Sequence, residues 1–456
     1  MTAKNPAKTV LKALSKTTQT EIYDCIVIGA GAAGLACARR LLDEKKKVLI
    51  LEARSRIGGR TMTVRDPSLD YPIELGAEFI HGAPDVTFNR LGIAGLTFFD
   101  VIDSHLHRKD GKLQEIDYFE KMETLFEKLD KGRKPDRTVE EFLDSQKVSG
   151  PFREMVNSYV EGFHAADPRI MGERGMATAE NAEEDLNGSY AFRVTQGYDR
   201  LMASFLNGVD VPESPIRLNT IVRAVEWKKG EATLKLQSAA GFPLASLKAK
   251  KVVITVPIGV LKAPEAAPSS IKIEPRPEGF DTAIEALHMG HTLRIVLRFR
   301  SRRLWESIQT EDPIAYLHAP AGSDFPTWWT MYPMRTPLLV GWQGGPQAEK
   351  LSRLTEEERV RAAVATLAKI LDQPEEVLHQ ELESWYMHDW TKDPFSYGAY
   401  SFVGVNGDEK SERLTKPFSD TLYFAGEATH VEAERGTVDG AIETGVRAAD
   451  QVLATL

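Results

Sequence analysis

A glycine-rich segment near the start of the chain constrains the fold more than any other feature. Residues 23–28 read Y-D-C-I-V-I, a mostly apolar run that predicts a buried strand. Three glycines follow it in G-x-G-x-x-G spacing, namely Gly29, Gly31 and Gly34. A helical pattern covers residues 32 to about 44, and residues 48–51 predict a second buried strand that ends in Glu52. This succession predicts a βαβ unit that binds a dinucleotide.

Each residue type in this motif has a physical reason. Gly29 permits a tight turn, and Gly31 lets the backbone approach a pyrophosphate without a Cβ atom in the way. Gly34 allows the helix to pack closely on the sheet. The phosphates would lie at the helix N-terminus near Ala33, where free N–H groups favour negative charge. Glu52 ends the second strand, at a position from which a carboxylate reaches ribose hydroxyls.

The following residues indicate which dinucleotide is bound. Residues 53–60 read A-R-S-R-I-G-G-R, so a second glycine turn ends in an arginine. This turn places another cation near the pyrophosphate, which simple nicotinamide dehydrogenases do not need. The pattern resembles the flavin-containing amine oxidases, which include monoamine oxidases, polyamine oxidases and lysine-specific histone demethylases, and we expect a soluble, bacterial-type member. The resemblance implies FAD as the cofactor, with contacts here from Ala53, Arg54, Gly59 and Arg60.

The resemblance covers about residues 21–456. Residues 74–82 read E-L-G-A-E-F-I-H-G and are similar to a polyamine oxidase segment that runs beside the flavin, with Phe79 in place of a tryptophan. In that family the histidine, here His81, faces the amine, and a purely structural histidine is an equal alternative. The family's motifs in the middle and at the end of the chain complete the implied FAD contacts, which are Gly76, Ala77, Glu78, Phe79, Val222, Gly426, Glu427, Thr437, Val438 and Ala441.

Residues 390–400 read W-T-K-D-P-F-S-Y-G-A-Y and resemble the strand that carries the substrate site in this family. The resemblance implies that Trp390 packs near the flavin ring. It also implies that Tyr400 forms one side of an aromatic cage that guides the amine to the flavin. The candidate catalytic residues are therefore Arg294, Tyr400, Thr437, Trp390 and His81.

The sequence departs from the family pattern at three of these positions. Ala399 replaces the cysteine that binds flavin covalently in monoamine oxidases, so we expect non-covalent FAD. Thr437 replaces the second tyrosine of the cage, which implies a wider cavity. Arg294 replaces a lysine that holds a water near flavin N5. Arg294 is expected to slow the reaction with oxygen, unless it turns away into a salt bridge.

The predicted fold class is α/β, with a discontinuous Rossmann-type FAD-binding domain and an α+β substrate-binding domain inserted in two segments. The FAD-binding domain is assigned to residues 21–82, 194–280 and 395–456. The substrate-binding domain is assigned to residues 83–193, which we expect to be mostly helical, and to residues 281–394. Residues 1–20 carry lysines without an acid or an apolar run and are predicted to form a flexible tail.

Charge and composition exclude several classes of protein. The net charge of −9 argues against binding to nucleic acid or to anionic membranes. No run of eighteen apolar residues occurs, so we expect no membrane anchor. The chain has two cysteines, a number that fits a reducing, cytoplasmic location. His105 and His107 have no third ligand nearby in the sequence, so we expect no metal. A homodimer is one option for its quaternary structure.

The expected reaction follows from the implied cofactor. A C–H bond next to the amine nitrogen gives a hydride equivalent to the flavin, and the resulting imine hydrolyses to a carbonyl compound and an amine or ammonia. Oxygen, with hydrogen peroxide as product, or another acceptor then takes the electrons. Two other hypotheses remain. An amino-acid oxidase would need an arginine for the substrate carboxylate, for which Arg294 and Arg335 are candidates. A flavoprotein that acts as an interaction module would not be reduced by any amine.

Overall fold

The computed structural model describes residues 21–116, 119–185, 190–209, 214–308, 310, 313–320, 322–431 and 435–456. The tail expected at residues 1–20 lies outside the described residues. No helix within the described ranges is long and apolar enough to span a membrane. Cys25 and Cys37 are buried free thiols.

An eight-stranded sheet contains the predicted βαβ unit. Within the described residues its strands run in the order β10 (Ile216–Arg217), β2 (Val48–Leu51), β1 (Ile22–Ile28), β13 (Pro243–Ile254), β12 (Glu231–Ser238), β11 (Thr220–Lys228) and β14 (Lys272–Glu274), with β22 (Leu422–Phe424) also on β13. Strands β10, β2, β1, β13 and β22 pair in parallel, whereas β12 pairs antiparallel with both neighbours. Strands β2 and β22 are fully buried and β1 is buried from Cys25 onward, which explains their continuous apolar sequence.

A second, seven-stranded sheet comes from other parts of the chain. Its strands run in the order β20 (Leu382–Met387), β16 (Thr292–Phe299), β19 (Leu338–Gly344), β18 (Thr327–Trp329), β17 (Tyr316–His318), β7 (His105–Lys109) and β8 (Lys112–Glu115). Smaller sheets pair β3 (Thr63–Val64) with β4 (Ile73–Glu74), β15 (Leu287–Met289) with β21 (Ser401–Val403), and β5 (Phe79–His81) with β9 (Ala191–Val194) and β6 (Phe98–Val101).

Helices pack around these sheets. They are α1 (Ala32–Asp43), α2 (Asp85–Ala94), α3 (Phe119–Phe126), α4 (Val139–Ser145), α5 (Gly150–Phe163), α6 (Glu173–Asp185), α7 (Tyr198–Ser204), α8 (Ile258–Leu261), α9 (Phe280–Glu285), α10 (Arg303–Glu306), α11 (Gly345–Ser352), α12 (Glu356–Leu371), α13 (Glu375–Glu381), α14 (Asp408–Ser411) and α15 (Val438–Leu453). Short 3₁₀ helices cover Glu412–Thr415 and Glu427–Thr429. The largest helix of the substrate region, α12, begins with a capping box between Thr355 and Glu358.

The first and last helices share the core of the eight-stranded sheet. Apolar residues of α1, β1, α7 and α15 form one buried cluster. The two helices α1 and α15 approach so closely that a Cβ atom at Gly445 would lie 2.2 Å from the carbonyl oxygen of Ala33. A glycine at this point of α15 therefore sets the spacing between the helices.

Two local expectations differ from the structure. The apolar pattern of residues 216–225 predicts a single strand, but Asn219 adopts a positive φ of 53°, which separates β10 from β11. Residues 251–261 predict a buried strand broken by proline and glycine, and the structure has this break, since β13 ends at Ile254 and Pro257 is the N-cap of α8. Residues 83–193 contain helices α2 to α6 but also strands β6 to β9, so this region is less helical than expected.

The contact between α1 and α15 gives a prediction about stability. Gly445→Ala should lower the midpoint of thermal unfolding, because overpacking against backbone costs roughly 1–3 kcal/mol. Gly92→Ala in α2 is the matched control, since a Cβ atom there meets nothing within 4 Å. That control should raise the midpoint slightly, because alanine gains about 0.5–1 kcal/mol over glycine in a helix. Circular dichroism measures both midpoints, and equal midpoints for the two variants would contradict the prediction.

Candidate active site

A cavity of about 1730 Å³ is lined by strands of both large sheets. A pocket for a drug-sized ligand typically measures about 300–1,000 Å³, so this cavity has room for a dinucleotide and a substrate together. All of the predicted site residues except Gly34 line it. They are Gly29, Gly31, Ala33, Glu52, Ala53, Arg54, Gly59, Arg60, Gly76, Ala77, Glu78, Phe79, His81, Val222, Arg294, Trp390, Tyr400, Gly426, Glu427, Thr437, Val438 and Ala441.

The glycine motif forms one end of the cavity. Gly29 turns with a φ of +103°, and a Cβ atom at Gly34 would lie 2.0 Å from the Gly29 carbonyl oxygen. Gly34 therefore lets helix α1 pack against the turn, as its position in the motif predicts. A Cβ atom at Gly31 would meet nothing within 4 Å, and no side chain caps the α1 N-terminus there. Helix N–H groups thus face open space where an anion can bind.

Glu52 closes this end of the cavity at the end of β2. Its carboxylate accepts hydrogen bonds from the backbone N–H groups of Ala30, at 2.7 Å, and of Arg54, at 2.8 Å. The carboxylate is thereby held in place between the two glycine turns. The second turn touches the first, since a Cβ atom at Gly59 would lie 3.2 Å from the Gly31 Cα.

The arginines expected near the pyrophosphate have acidic partners. Arg54 bonds Asp393 at 2.6 Å. Arg60 bonds the buried Glu427 at 2.8 Å and also donates to the Ala399 carbonyl at 2.6 Å. The Arg60 guanidinium helps hold the Glu427 pKa below its usual range despite burial. These pairs fix the arginine side chains, so much of their charge is balanced within the protein.

Helix α15 presents its N-terminus to the same cavity. Thr437 is its N-cap, and the Thr437 hydroxyl accepts a hydrogen bond from the Gly440 N–H at 2.9 Å. Val438 and Ala441 in the first turn line the cavity. The Asp439 carboxylate accepts a short hydrogen bond from the Thr87 hydroxyl, and burial raises the pKa of this carboxyl to about 6. The helix dipole therefore favours negative charge at this side of the cavity.

A buried ion cluster lies beside the middle of the cavity. Glu78 is 4% exposed and binds Arg193 at 2.6 Å, Arg294 in a very short contact and the Trp329 Nε1–H at 3.1 Å. Arg294 also donates to the Gly76 carbonyl at 3.0 Å. Arg294 therefore forms a salt bridge, which is the alternative to a role beside flavin N5 that we named from the sequence. These partners occupy the Glu78 carboxylate, so the role of this side chain is to hold Arg193, Arg294 and Trp329 in place.

Sequence reasoning missed Arg193. This residue is 3% exposed on β9 and also donates to the carbonyls of Thr330, at 3.1 Å, and Tyr332, at 3.3 Å. Its partners are more than a hundred residues away along the chain, so no local pattern indicates the pairing. The only available signal was an arginine inside the otherwise apolar run A-F-R-V.

Three ring side chains, His81, Phe163 and Tyr400, lie at the predicted amine position, and we call them the aromatic group. Tyr400 donates to the Phe163 carbonyl at 2.7 Å, and the Phe163 ring stacks on Tyr159 at 5.4 Å. His81 meets the edge of Phe163 at 5.8 Å. Burial lowers the His81 pKa to about 4, so the imidazole is neutral near neutral pH. Trp390 is anchored by a hydrogen bond from its Nε1–H to the Leu75 carbonyl at 2.9 Å.

Comparison with known proteins identifies the family. A family model described as flavin containing amine oxidoreductase matches residues 32–453. The chain belongs to this family. It is 29% identical over 469 residues to polyamine oxidase 3 of Oryza sativa subsp. japonica, which covers 93% of this chain and 88% of that protein. It is 25% identical to lysine-specific histone demethylase 2 of Homo sapiens, over 94% of this chain and 53% of that protein.

Solved structures have the same fold. Cyclohexylamine oxidase from Brevibacterium oxydans IH-35A superposes with a TM-score of 0.79 at 20% identity, covering 95% of this chain and 99% of that one. Putrescine oxidase bound to putrescine superposes with a TM-score of 0.78 at 19% identity, covering 95% and 100%. The predicted fold class, an α/β fold with a Rossmann-type FAD-binding domain and an inserted α+β substrate domain, is confirmed. The domain boundaries stay a prediction.

The protein is an amine-acting oxidoreductase with FAD as its cofactor. The residues present fit this cofactor, because the open space at Gly31, the uncapped α1 N-terminus and the fixed Glu52 carboxylate match the needs of a pyrophosphate and a ribose. The second helix N-terminus, at Val438, adds a further group that favours negative charge.

Alanine at Gly31 and alanine at Gly34 should have different effects on apoprotein stability and on FAD affinity. Gly31→Ala places a Cβ atom in open cavity, so the apoprotein should unfold at the wild-type temperature while FAD affinity falls about tenfold or more. Gly34→Ala forces backbone apart, so it should lower both the apoprotein unfolding temperature and FAD affinity.

Two measurements separate these effects. Circular dichroism monitors unfolding of the apoprotein, and flavin fluorescence monitors titration with FAD. Equal loss of apoprotein stability in both variants would show that Gly31 is needed for packing and not for the cofactor.

Proposed function

We propose that the protein oxidises an amine at the carbon beside its nitrogen, giving an imine that hydrolyses to an aldehyde or ketone and an amine or ammonia. Bound FAD supplies the two-electron acceptor for this step. One observation supports the proposal most strongly. A single cavity joins the glycine turns at Gly31 to the aromatic group of His81, Phe163 and Tyr400, so cofactor and amine can meet inside it.

The proposed role of the aromatic group is to receive the amine in its neutral form. An alkyl amine with a pKa of about 10.4 costs roughly 4–5 kcal/mol to deprotonate at pH 7. An apolar wall lowers that cost, since burial disfavours the cation. His81 is itself neutral and offers an acceptor for an amine N–H. A strong protein base is therefore not required.

The amino-acid oxidase alternative finds less support. The Arg294 guanidinium pairs with Glu78 and donates to the Gly76 backbone carbonyl. Arg335 is 64% exposed, pairs with Glu306 and lies outside the cavity lining. Neither of the two arginines named from the sequence is thus placed to receive a substrate carboxylate. Assays with n-alkylamines and with the matching α-amino acids distinguish the two activities.

We propose oxygen as the electron acceptor, hydrogen peroxide as the second product, a cytoplasmic location and, as one option, a homodimer. The possibility that another acceptor replaces oxygen follows from Arg294, whose planar guanidinium is held by Glu78 and cannot act as a compact ammonium does. Peroxide formation during turnover in air, compared with turnover under argon with an artificial acceptor, tests this choice.

The proposed activity is tested by anaerobic mixing of the FAD-loaded protein with a panel of amines. We expect at least one amine to bleach the flavin absorbance and to yield a carbonyl product. If no amine bleaches the flavin, the interaction-module hypothesis is favoured over catalysis.

The cofactor should be released by acid. Ala399 lines the cavity at the position where the resemblance places a linking cysteine, and its methyl group cannot form a thioether to flavin. Precipitation with trichloroacetic acid should leave all yellow colour in the supernatant. Colour that stays in the pellet after washing would contradict a non-covalent cofactor.

Tyr400 should act through its ring and not through proton transfer. Its hydroxyl already donates to the Phe163 carbonyl, so it is not free to donate to substrate. Tyr400→Phe should keep the anaerobic flavin reduction rate within about threefold, whereas Tyr400→Ala should lose about tenfold, as expected from a ring contribution of about 0.5–2 kcal/mol. Stopped-flow absorbance measures both rates. A phenylalanine variant as slow as the alanine variant would assign the effect to the hydroxyl.

A further inference from the structure

The last turn of helix α5 lies against the aromatic group. Phe163 ends this helix, and His164 is its C-cap residue. The Phe163 carbonyl, which accepts a hydrogen bond from the Tyr400 hydroxyl at 2.7 Å, belongs to the peptide bond that joins Phe163 to His164. The His164 ring meets the Phe163 ring edge-on, with centroids 5.3 Å apart, and lines the same cavity. His164 therefore adjoins the predicted amine position.

A carboxylate from helix α6 fixes the His164 ring. Glu180 Oε1 lies 2.7 Å from His164 Nε2 and accepts a hydrogen bond from the Tyr159 hydroxyl at 3.3 Å. The His164 and Glu180 side chains are only 10% and 15% exposed, so two donors converge on a carboxylate that is largely withdrawn from water. The Tyr159 ring stacks on Phe163, which packs these residues against the aromatic group. We call His164 and Glu180 the histidine–glutamate pair.

Elementary acid–base chemistry fixes the tautomer of His164. An ionised carboxylate only accepts hydrogen bonds, so the neutral ring carries its proton on Nε2 and has a lone pair on Nδ1. Among the described residues, the bond to Glu180 is the one hydrogen bond of this ring. The lone pair of a histidine that lines a cavity can take a proton from a group bound in that cavity.

Two features of the fold stabilise His164 once it is protonated. The imidazolium forms a charge-assisted hydrogen bond to the Glu180 carboxylate. It also lies at the C-terminus of α5, a helix of 14 residues, where the helix dipole favours positive charge. A positive charge that enters with an ammonium group is therefore balanced inside the histidine–glutamate pair, and the apolar rings face a neutral amine.

We propose that His164 takes the proton of the substrate ammonium, so that the amine is neutral when its C–H bond is oxidised. One N–H bond of the ammonium breaks and one N–H bond forms at His164 Nδ1, without any transfer of electrons. The proton stays on the histidine–glutamate pair during the oxidation and passes to solvent when the product leaves. This inference rests on the proposed function. A weak base suffices, because the apolar wall already lowers the cost of deprotonation.

Other titratable groups near the histidine–glutamate pair do not take this role. Burial lowers the His81 pKa to about 4 and raises the Tyr400 pKa above its usual range. Burial also raises the Glu161 pKa to about 7, but Glu161 lies outside the cavity lining. Despite burial, hydrogen bonds from Arg169 lower the Asp167 pKa. Further charged side chains on adjoining segments, present in wild type and variants alike, are Glu154, Lys350, Asp408 and Arg435.

The test is the pH dependence of anaerobic flavin reduction by the most reactive n-alkylamine of the panel. Stopped-flow absorbance gives the limiting rate divided by the dissociation constant. In the wild type this ratio should change less than about threefold between about pH 7.5 and 9, where protonated amine and neutral histidine are both abundant. His164→Gln keeps a donor for Glu180 but cannot take a proton. Its ratio should rise about tenfold per pH unit, since only the neutral fraction of an amine with a pKa of about 10.4 reacts.

Two further variants define the role of the charge. Glu180→Gln removes the carboxylate that holds the proton on His164, so its profile should become steeper than that of the wild type. His430→Gln is the matched control. His430 pairs with Glu443 at 3.0 Å, and both residues lie outside the cavity lining, so this variant should keep the wild-type profile.

A weakly basic amine separates proton transfer from the shape of the site. The 2,2-difluoro derivative of the same amine is largely neutral at pH 7, because fluorine withdraws electrons from the nitrogen. Wild type and His164→Gln should reduce the flavin with this amine at rates within about threefold of each other, since no proton has to be removed. An equally large loss with both amines would assign His164 a structural role only and overturn the inference.

The profiles themselves can also contradict the inference, namely by a tenfold rise per pH unit in the wild type or by a flat profile in His164→Gln. If no amine reduces the flavin, the proposed function fails instead. Calorimetric titration with tert-butylamine, which has no C–H bond beside its nitrogen, then tests His164 without turnover. Titrations at about pH 8 in buffers of different ionisation enthalpy should show almost no proton released by the wild type and about one by His164→Gln. Equal proton release would overturn the inference.

Discussion

A buried carboxylate connects the cofactor end of the cavity to its substrate wall. Glu78 follows the short strand β4, and its partners Arg193, Arg294 and Trp329 belong to β9, β16 and β18. Burying such ions costs several kcal/mol each unless every charge is paired and hydrogen-bonded. Because the partners come from two different sheets, the segment around Gly76 cannot move relative to the seven-stranded sheet without unpairing a buried charge. The geometry of the cavity therefore depends on this cluster.

The cluster also changes what Arg294 can do. One carboxylate between two arginines leaves a net positive charge beside the cavity, whereas the guanidinium of Arg294 is directed at Glu78 and a backbone carbonyl. Glu74 lies nearby, and burial raises the pKa of its carboxyl to about 7, so it balances this charge only partly near neutral pH. Arg294 consequently contributes through the field of the whole cluster and through fixed geometry, and not as an independent donor.

Sequence reasoning succeeded where a site is built from consecutive residues. The turn at Gly29, the close packing at Gly34 and the strand that ends in Glu52 follow from local backbone geometry, and the structure has all three. It failed where pairing joins distant segments. The partner of Glu78 on β9 comes 115 residues later in the chain, and an arginine in a short apolar run has no periodicity that would identify it. The strand break at Asn219 likewise depends on long-range pairing, because β10 pairs with β2 whereas β11 pairs with β12 and β14.

The far end of the cavity shows the same limit most clearly. The sequence near His105 contains no residue that identifies its hydrogen-bond partner. Its actual partner, His318, lies 213 residues away and reaches it only because β7 and β17 pair in parallel. Through β18 and β19 the same register places His318, Thr327, Trp342 and Arg294 in one row across the sheet. A sheet assembled from two insertions thus creates both the length of the cavity and the contact between His105 and His318. Since neither insertion contains the whole row, the length of the cavity is a property of their pairing and not of any single motif.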